Sequence, residues 1–290
     1  MKTILTAISF LTIFNFDSIF KSGPNKTIKS DFCAVSDDTS ADAAFTSDAN
    51  VYAKLHLVKS IKFFPLAGLF IGLNVAILYF VFNKITFSPS IASIISIAGL
   101  FIITGGLHFD GLSDTSDGLM AFLKTGNKNK FYNAMKDVNT GLAGTISVIF
   151  YIILLYKIIL DFNSFHQIYP RFYGIYALIS FPVVGRYIIV LMSYFTVTPK
   201  NFRGIGSIFT EGTDILTFIV ASAITLIIVI LFFGCSGLFA LLVTSFIILI
   251  ICYFFIKKFG GINGDMLGFG VKISEIIFLI SLLDFIKTGF

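Results

Sequence analysis

Three carboxylates stand close together in the segment GGLHFDGLSDTSDGL, residues 105–119, which follows a run of apolar residues. On a helix, Asp110, Asp114 and Asp117 lie within about 60° of one another, because positions i, i+4 and i+7 share a face. Like charges at this spacing repel each other and destabilise the helix. A hard divalent cation with oxygen ligands would offset the repulsion, and Mg²⁺ is usually held by carboxylates together with substrate phosphates. The spacing therefore predicts a Mg²⁺ site formed by all three aspartates.

Two less specific explanations of these aspartates stay open. They could form the solvated acidic face of a helix end, or they could cap a helix N-terminus with their side-chain oxygens. His108, two residues before the first aspartate, is a candidate general base, and a hydrogen-bonded structural histidine explains it equally well. Four glycines surround the cluster, at 105, 106, 111 and 118. They lower helix propensity, but they let a neighbouring helix or a bulky ligand approach closely.

Other charged residues are predicted to serve the same site. Asp137, in AMKDVNTGLAG, follows a lysine-rich stretch that ends at Lys136, and Asp265 lies in the glycine-rich segment GGINGDMLG. Lysines beside a carboxylate–metal cluster suit an anionic substrate that carries phosphate. Arg186 lies inside an apolar segment, where a charge is costly and is usually paired or functional. Its predicted partner is an acidic residue or a substrate phosphate.

The composition indicates the elements that must position these residues. Hydrophobic residues make up 56% of the 290-residue chain and charged residues 13%, about half the charged fraction of a typical soluble domain. Six segments reach or approach the roughly 20 residues that cross a bilayer, and a shorter apolar stretch follows at 273–286. The six are 61–82, 89–107, 142–160, 172–195, 215–233 and 238–256. Because a backbone in lipid must satisfy its own hydrogen bonds, the sequence predicts an all-α, polytopic membrane bundle of about six to seven transmembrane helices.

The first 60 residues are predicted to differ from the rest of the chain. The opening MKTILTAISFLTIFNF has a basic start and about 13 apolar residues, which suits a short re-entrant or interfacial helix; a cleaved signal peptide is the alternative. Residues 17–60 are predicted to form a flexible cytoplasmic loop, because their Ser-, Asp-, Ala- and Thr-rich part lacks periodicity. The expected division is therefore 1–60, a short helix and loop, and 61–290, the transmembrane catalytic domain.

Lysine and arginine counts predict the orientation in the membrane. The segments 17–62, 108–141, 196–214 and 257–272 hold six, four, two and three of them, whereas the intervening loops hold only Lys84 and Arg171. The positive-inside rule places the first set, with the aspartates, on the cytoplasmic side of the cell membrane. It also accounts for the net charge of +5 without nucleic acid as a partner.

From these residues alone, the predicted function is Mg²⁺-dependent phosphoryl-type transfer by a membrane enzyme at its cytoplasmic face. An ion-coupled transporter is the alternative, since its intramembrane carboxylates would bind the coupling ion. The aspartates favour the enzyme because they cluster at one membrane face instead of the midplane. The sequence also has no visible pair of inverted repeats.

The order of several motifs resembles that of the cobalamin synthases, also called adenosylcobinamide-GDP ribazoletransferases. The segment TGGLHFDGLSDTSDGL, 104–119, is similar to the signature of that family. Weaker similarities cover about 60–280, in FPLAGLFIG, MKDVNTGLAG, GR at 185–186, GIGSIF and GGINGDMLG. The chain departs from the family pattern at Lys136, Asn139, Asn263 and Lys272.

The resemblance implies a specific reaction at the aspartates. Adenosylcobinamide-GDP would be joined to α-ribazole or its 5′-phosphate, giving adenosylcobalamin or its 5′-phosphate and releasing GMP. Mg²⁺ held by Asp110, Asp114 and Asp117 would neutralise the diphosphate, and one of these residues or His108 would orient or deprotonate the attacking hydroxyl. The residues predicted to contact substrate or phosphate are Arg186, Lys136, Asp137, Asn263 and Asp265. A homo-oligomer, or association with other enzymes of cobalamin assembly, is left open.

A second enzyme family shares part of this pattern. CDP-alcohol phosphotransferases, which transfer lipid head groups, also use clustered aspartates on membrane helices with a metal and a nucleotide diphosphate. Their pattern requires D-x-x-D-G-x-x-A-R followed by glycine and two spaced aspartates. Here DTSDGLM supplies the first part, but the Ala-Arg pair and the later aspartates are missing. This activity is therefore the second expectation.

Overall fold

The computed structural model describes residues 2–13, 55–164, 172–199 and 204–288. Within these ranges the chain forms ten helices and no strands, which confirms the all-α prediction. The helices are α1 (Lys2–Leu11), α2 (Phe64–Thr86), α3 (Pro89–Thr104), α4 (Leu107–Thr125), α5 (Lys128–Met135), α6 (Leu142–Ser164), α7 (Tyr173–Phe195), α8 (Ile205–Gly212), α9 (Ile215–Phe259) and α10 (Gly264–Thr288). Most of the predicted cytoplasmic loop, residues 17–54, lies outside the described residues.

The number of helices able to cross a membrane agrees with a polytopic bundle. Five are long and apolar enough by themselves, namely α2 (with the helical residues from Leu55 onward), α6, α7, α9 and α10; α3 and α4 pass only as a pair bent by 91°. The 45-residue α9 would be about 67 Å long if straight, twice the hydrocarbon thickness. Gly234 interrupts it with φ 58° and ψ −134°, and Gly237 lies against Val229. The chain therefore reverses at Gly234, as the two separately predicted segments require.

The last helix is longer than the predicted stretch 273–286. It begins at Gly264 and has 25 residues, so the glycine-rich segment before 273 is mostly helical. Its first three turns contain Asp265, Lys272 and several glycines, which lower the apolar signal in the sequence. These residues form a helix because the bundle packs around them: Lys272 and Glu275 are fully buried by neighbouring helices.

Small residues bring α2 and α7 into close contact at the centre of the bundle. Gly68 and Gly72 are four residues apart on α2, the spacing at which small residues form one face of a membrane helix. A Cβ at either position would collide with the backbone of α7, at Pro182 and Ile179 respectively. All residues of α7 from Ala177 to Ser193 are buried. This helix is therefore the core around which the other spans are arranged.

The N-terminal helix α1 packs into the bundle, as the short-helix prediction expects. Ala7 and Leu11 are buried, and Phe10 contacts Phe64 at the start of α2 and Phe209 of α8. Past its end, the Ile13 N–H donates to the Ile103 carbonyl at 2.8 Å. The helix therefore supports the end of the bundle at which α3 turns into α4.

Candidate active site

Two left-handed glycines create the corner from which the aspartate-bearing helix starts. Gly105 and Gly106 have φ of 60° and 72°, a conformation that costs little without a Cβ. The Gly106 carbonyl then accepts the N–H of Asp110 at 3.0 Å. Because α4 leaves this corner at 91° to α3, it runs across the end of the bundle instead of continuing through it. The predicted helix at the three aspartates is thereby confirmed, and they lie at this end.

The structure brings Asp265 to the same face as Asp110 and Asp114. The contact that does so is between backbones: a Cβ on Gly111 of α4 would lie 2.6 Å from the Asp265 carbonyl oxygen at the start of α10. Asn263 completes the arrangement, since its Oδ1 accepts the Met266 N–H at 3.0 Å and its Nδ2 donates to Asp265 Oδ2 at 3.3 Å. Asp265 is thus held in the first turn of α10, beside the other two aspartates.

The electrostatics of this face fit a divalent cation. Burial raises the pKa of Asp114 to about 7, and the charges of Asp110, Asp265 and Asp117, in that order, add to the effect. The carboxylates therefore repel one another, and they supply the oxygen ligands that Mg²⁺ prefers. Among the described residues, no group of three or more acidic, histidine or cysteine side chains is placed to hold a metal ion by itself. Mg²⁺ commonly needs only one or two carboxylates, with waters and phosphates completing its shell.

Asp117 has a different environment from Asp110 and Asp114. Its Oδ2 accepts the Gly141 N–H at 2.7 Å, and its Oδ1 accepts the Gly144 N–H at 2.8 Å. Both oxygens therefore contact the start of α6. Its role as a third metal ligand stays a prediction.

Lys136 and Asp137 lie in the connection between α5 and α6, at the same end of the bundle. Both are exposed. The Asp137 carboxylate accepts the backbone N–H of Asn139 at 2.9 Å and its side-chain N–H at 3.1 Å, so it closes a tight turn. Contact of this turn with substrate phosphate stays a prediction.

Arg186 and His108 lie on the other side of α4, inside the bundle. Arg186 is fully buried and its Nη1 donates to Glu275 Oε1 at 2.6 Å. This is the acidic partner that its position in an apolar segment predicted, while a substrate contact stays untested. His108 is 5% exposed, and its Nε2 has no hydrogen-bond partner among the described residues. The structure therefore separates these two residues from the aspartate face.

Two residues of this interior that sequence reasoning left unassigned are Lys272 and Tyr151. Lys272 donates to Glu275 Oε2 at 3.0 Å and to the Tyr151 hydroxyl at 3.3 Å, and its Nζ lies 4.1 Å from the centre of the Phe109 ring. The signal in the sequence was a lysine three residues before a glutamate within a helical apolar segment. Such a pair shares a helix face and can compensate its own charge.

Comparison with known proteins gives one family. A family model described as cobalamin-5-phosphate synthase matches residues 40–283. A protein of Clostridium novyi (strain NT), named adenosylcobinamide-GDP ribazoletransferase, is 34% identical over 231 residues, 80% of this chain and 88% of its own length. Proteins with the same name from Clostridioides difficile (strain 630) and Fusobacterium nucleatum are 32% and 30% identical, covering 77% and 79% of this chain and 86% and 88% of their own lengths. No solved structure matches the chain.

Proposed function

Because the chain belongs to the cobalamin-5-phosphate synthase family, we propose that it joins adenosylcobinamide-GDP to α-ribazole or α-ribazole 5′-phosphate and releases GMP. The product is adenosylcobalamin or its 5′-phosphate. The observation that carries the proposal is the grouping of Asp110, Asp114 and Asp265 at one end of a membrane bundle. That grouping suits a phosphate-bearing substrate with a divalent cation, and the names of the relatives supply the identity of the two substrates.

The reaction forms one P–O bond and breaks another. A ribose hydroxyl of the ribazole attacks the phosphorus that is esterified to cobinamide. The bond from that phosphorus to the bridging oxygen of the diphosphate breaks, and GMP departs with that oxygen. The proton of the attacking hydroxyl passes to a carboxylate. Asp110 is suited to this role because it is exposed, whereas Asp114 and Asp117 are partly buried.

Mg²⁺ would be held by one or two of the carboxylates of Asp110, Asp114 and Asp265, where its charge would neutralise the diphosphate and the departing phosphate oxygen. Asp265 enters this set through its position, although the sequence suggested it as a substrate contact. Asn263 orients Asp265 through the hydrogen bonds described above. Lys136 lies on the exposed turn near the site, where its ammonium group can meet a substrate phosphate.

We further propose that the site faces the cytoplasm in the cell membrane. The bundle brings the α4–α6 segment, the α8 region and the start of α10 to one end, since Gly111 contacts Asp265 and Gly206 contacts Gly264. These segments carry most of the lysines and arginines found in the loops between the spans. By the positive-inside rule, we expect this end to face the cytoplasm. Nucleotide-activated substrate is then taken up from that side.

The reaction can be tested in washed membranes from cells that lack any endogenous synthase. Adenosylcobinamide-GDP, α-ribazole 5′-phosphate and Mg²⁺ are added, and GMP and the corrinoid product are measured by chromatography. We expect product with the wild-type chain and none after addition of EDTA or in Asp110→Asn. Asp161→Asn is the matched control, because Asp161 is an acid on α6 that pairs with Lys157 on the surface; it should retain full turnover.

Two outcomes would contradict the proposal in different ways. Absence of product from folded, abundant wild-type protein would reject the ribazoletransferase activity, and CDP-alcohol substrates would be tested next. Product formation that EDTA leaves unchanged would reject the Mg²⁺ requirement while keeping the reaction.

A further inference from the structure

The carboxylate of Asp117 lies at the beginning of α6, not at the open face of the aspartate cluster. The first N–H groups of a helix have no partner within the helix, and a negative charge there is stabilised by the helix dipole. A capping side chain usually comes from the residue just before the helix. Here it comes from another helix, 24 and 27 residues earlier in the chain than the Gly141 and Gly144 N–H groups that it accepts.

The Asp117 carboxylate occupies the space that a side chain at Gly141 or Gly144 would need. A Cβ on Gly141 would collide with Asp117 Oδ1, and a Cβ on Gly144 would collide with Asp117 Oδ2 and Ser113 Oγ. The close approach therefore requires glycine at both positions. The sequence alone shows only that the segment TGLAG is rich in glycine. In the structure, this segment binds the side chain of Asp117.

This contact holds the C-terminal end of an exposed segment. Residues 136–140 are all exposed. At the N-terminal end of the turn, the N–H groups of Lys136 and Asp137 donate to carbonyls of α5, and within the turn Asp137 accepts from Asn139. The turn is anchored at its C-terminal end, where Gly141 and Gly144 bind Asp117. Asp114 and Asp117 lie one turn apart on α4. Together with the backbone bonds to α5, this anchor therefore contributes to where Lys136 and Asp137 lie relative to the reacting groups.

We propose that Asp117 is a positioning residue, and not a third metal ligand: it docks the 136–144 segment onto α4 so that Lys136 and Asp137 meet the substrate. The proposal rests on the proposed function for the identity of that substrate. The docking itself does not depend on which reaction the protein catalyses. Asparagine cannot replace Asp117, because its amide nitrogen would face one of two N–H donors that both need an acceptor.

Hydrogen exchange measures the docking without any activity. In the purified full-length protein, we expect the amides of 141–144 to exchange about tenfold faster or more in Asp117→Asn than in wild type, because a charge-assisted bond is lost. Asp110→Asn makes the same chemical change two turns earlier on α4, and it should leave these amides protected. Gly141→Ala should expose them as Asp117→Asn does, whereas Gly174→Ala, whose Cβ would meet only ordinary contacts, should not.

Kinetics then separate positioning from metal binding. A positioning role predicts that Asp117→Asn and Gly141→Ala both raise the KM for adenosylcobinamide-GDP about tenfold, with the Mg²⁺ concentration for half-maximal rate unchanged. Unchanged exchange at 141–144 together with a raised Mg²⁺ requirement in Asp117→Asn would overturn the proposal and make Asp117 a ligand. If the protein has another activity, the exchange rates still show whether Asp117 docks the 136–144 segment. The docking proposal and the proposed reaction can therefore fail independently of each other.

Discussion

Two groups of charged residues flank α4, and they differ in how their charges are compensated. On the inner side, Arg186, Glu275, Lys272 and Tyr151 form a network that is buried in the bundle, with two cations bonded to one carboxylate. On the outer side, Asp110, Asp114 and Asp265 bring like charges together at the end of the bundle. The inner cations bind a carboxylate of the protein, although Arg186 Nε and Nη2 have no hydrogen-bond partner among the described residues. The outer group has no partner of opposite charge among the contacts described.

The difference indicates what each group is for. A buried charge is tolerated only when it is paired and hydrogen-bonded, so the inner network is arranged for stability: it joins α6, α7 and α10, and Lys272 also contacts the Phe109 ring on α4. A group of repelling carboxylates costs stability and is retained where an external cation compensates it. The comparison therefore predicts opposite results when one charge is removed from each group.

The largest effect on stability is expected for Glu275→Gln. This change leaves Arg186 and Lys272 buried without a carboxylate, and breaking a buried pair by removing one partner typically costs about 3–5 kcal/mol. We expect a strongly lowered midpoint of thermal unfolding in detergent and a small folded fraction. Asp161→Asn provides the matched control: it breaks a surface pair with Lys157, which is worth at most about 1 kcal/mol. Equal losses in the two variants would show that burial does not distinguish the two pairs.

Part of the difference between the two groups could be predicted from the sequence. The spacing of Asp110 and Asp114 predicts their common helix face, and the position of Arg186 in an apolar segment predicts a partner. The partners of these residues could not be predicted, because they depend on contacts between segments that are distant in the chain. Gly111 meets Asp265 only because α4 crosses the start of α10, and nothing near Arg186 in the chain distinguishes Glu275 from other acids.

The same limit applies to Asp117 and to the last helix. Periodicity groups Asp117 with the other two aspartates, since all three share a helical face. Only the fold shows that its oxygens accept the N–H groups of Gly141 and Gly144. For α10, the glycines and charges before residue 273 shorten the continuous apolar stretch, although the whole helix is apolar enough to cross a membrane. Packing against neighbouring helices compensates for what those residues lack in apolar surface.

Asp114→Asn tests the outer group. Removing one repelling carboxylate should stabilise the folded protein by up to about 0.5 kcal/mol, the size of like-charge effects on a helix, while abolishing formation of the corrinoid product. The measurements are the unfolding midpoint in detergent and GMP release in membranes. A variant that loses stability as Glu275→Gln does would place Asp114 in the structural network and remove the distinction between the groups.

The smallest effect on product formation is expected for Lys272→Met, and this variant distinguishes two explanations of the inner network. Lys272 makes many contacts in the network, with two hydrogen bonds and two aromatic rings near its ammonium group. The charge of Lys272 is nevertheless the least important for charge balance, because Glu275 keeps Arg186 and the Tyr151 hydroxyl as partners when the second cation is removed. Methionine also fills a similar unbranched volume.

If charge balance controls the network, Lys272→Met should change the free energy of unfolding by about 1 kcal/mol or less, because Glu275 and Arg186 still compensate each other and no buried charge is left alone. Product formation should be kept, because the aspartate face is unaltered. A loss as large as that of Glu275→Gln would mean that the contacts of Lys272 with Phe109 and Tyr151 hold α4 in place. The inner network would then support the position of the aspartates as well as the stability of the bundle.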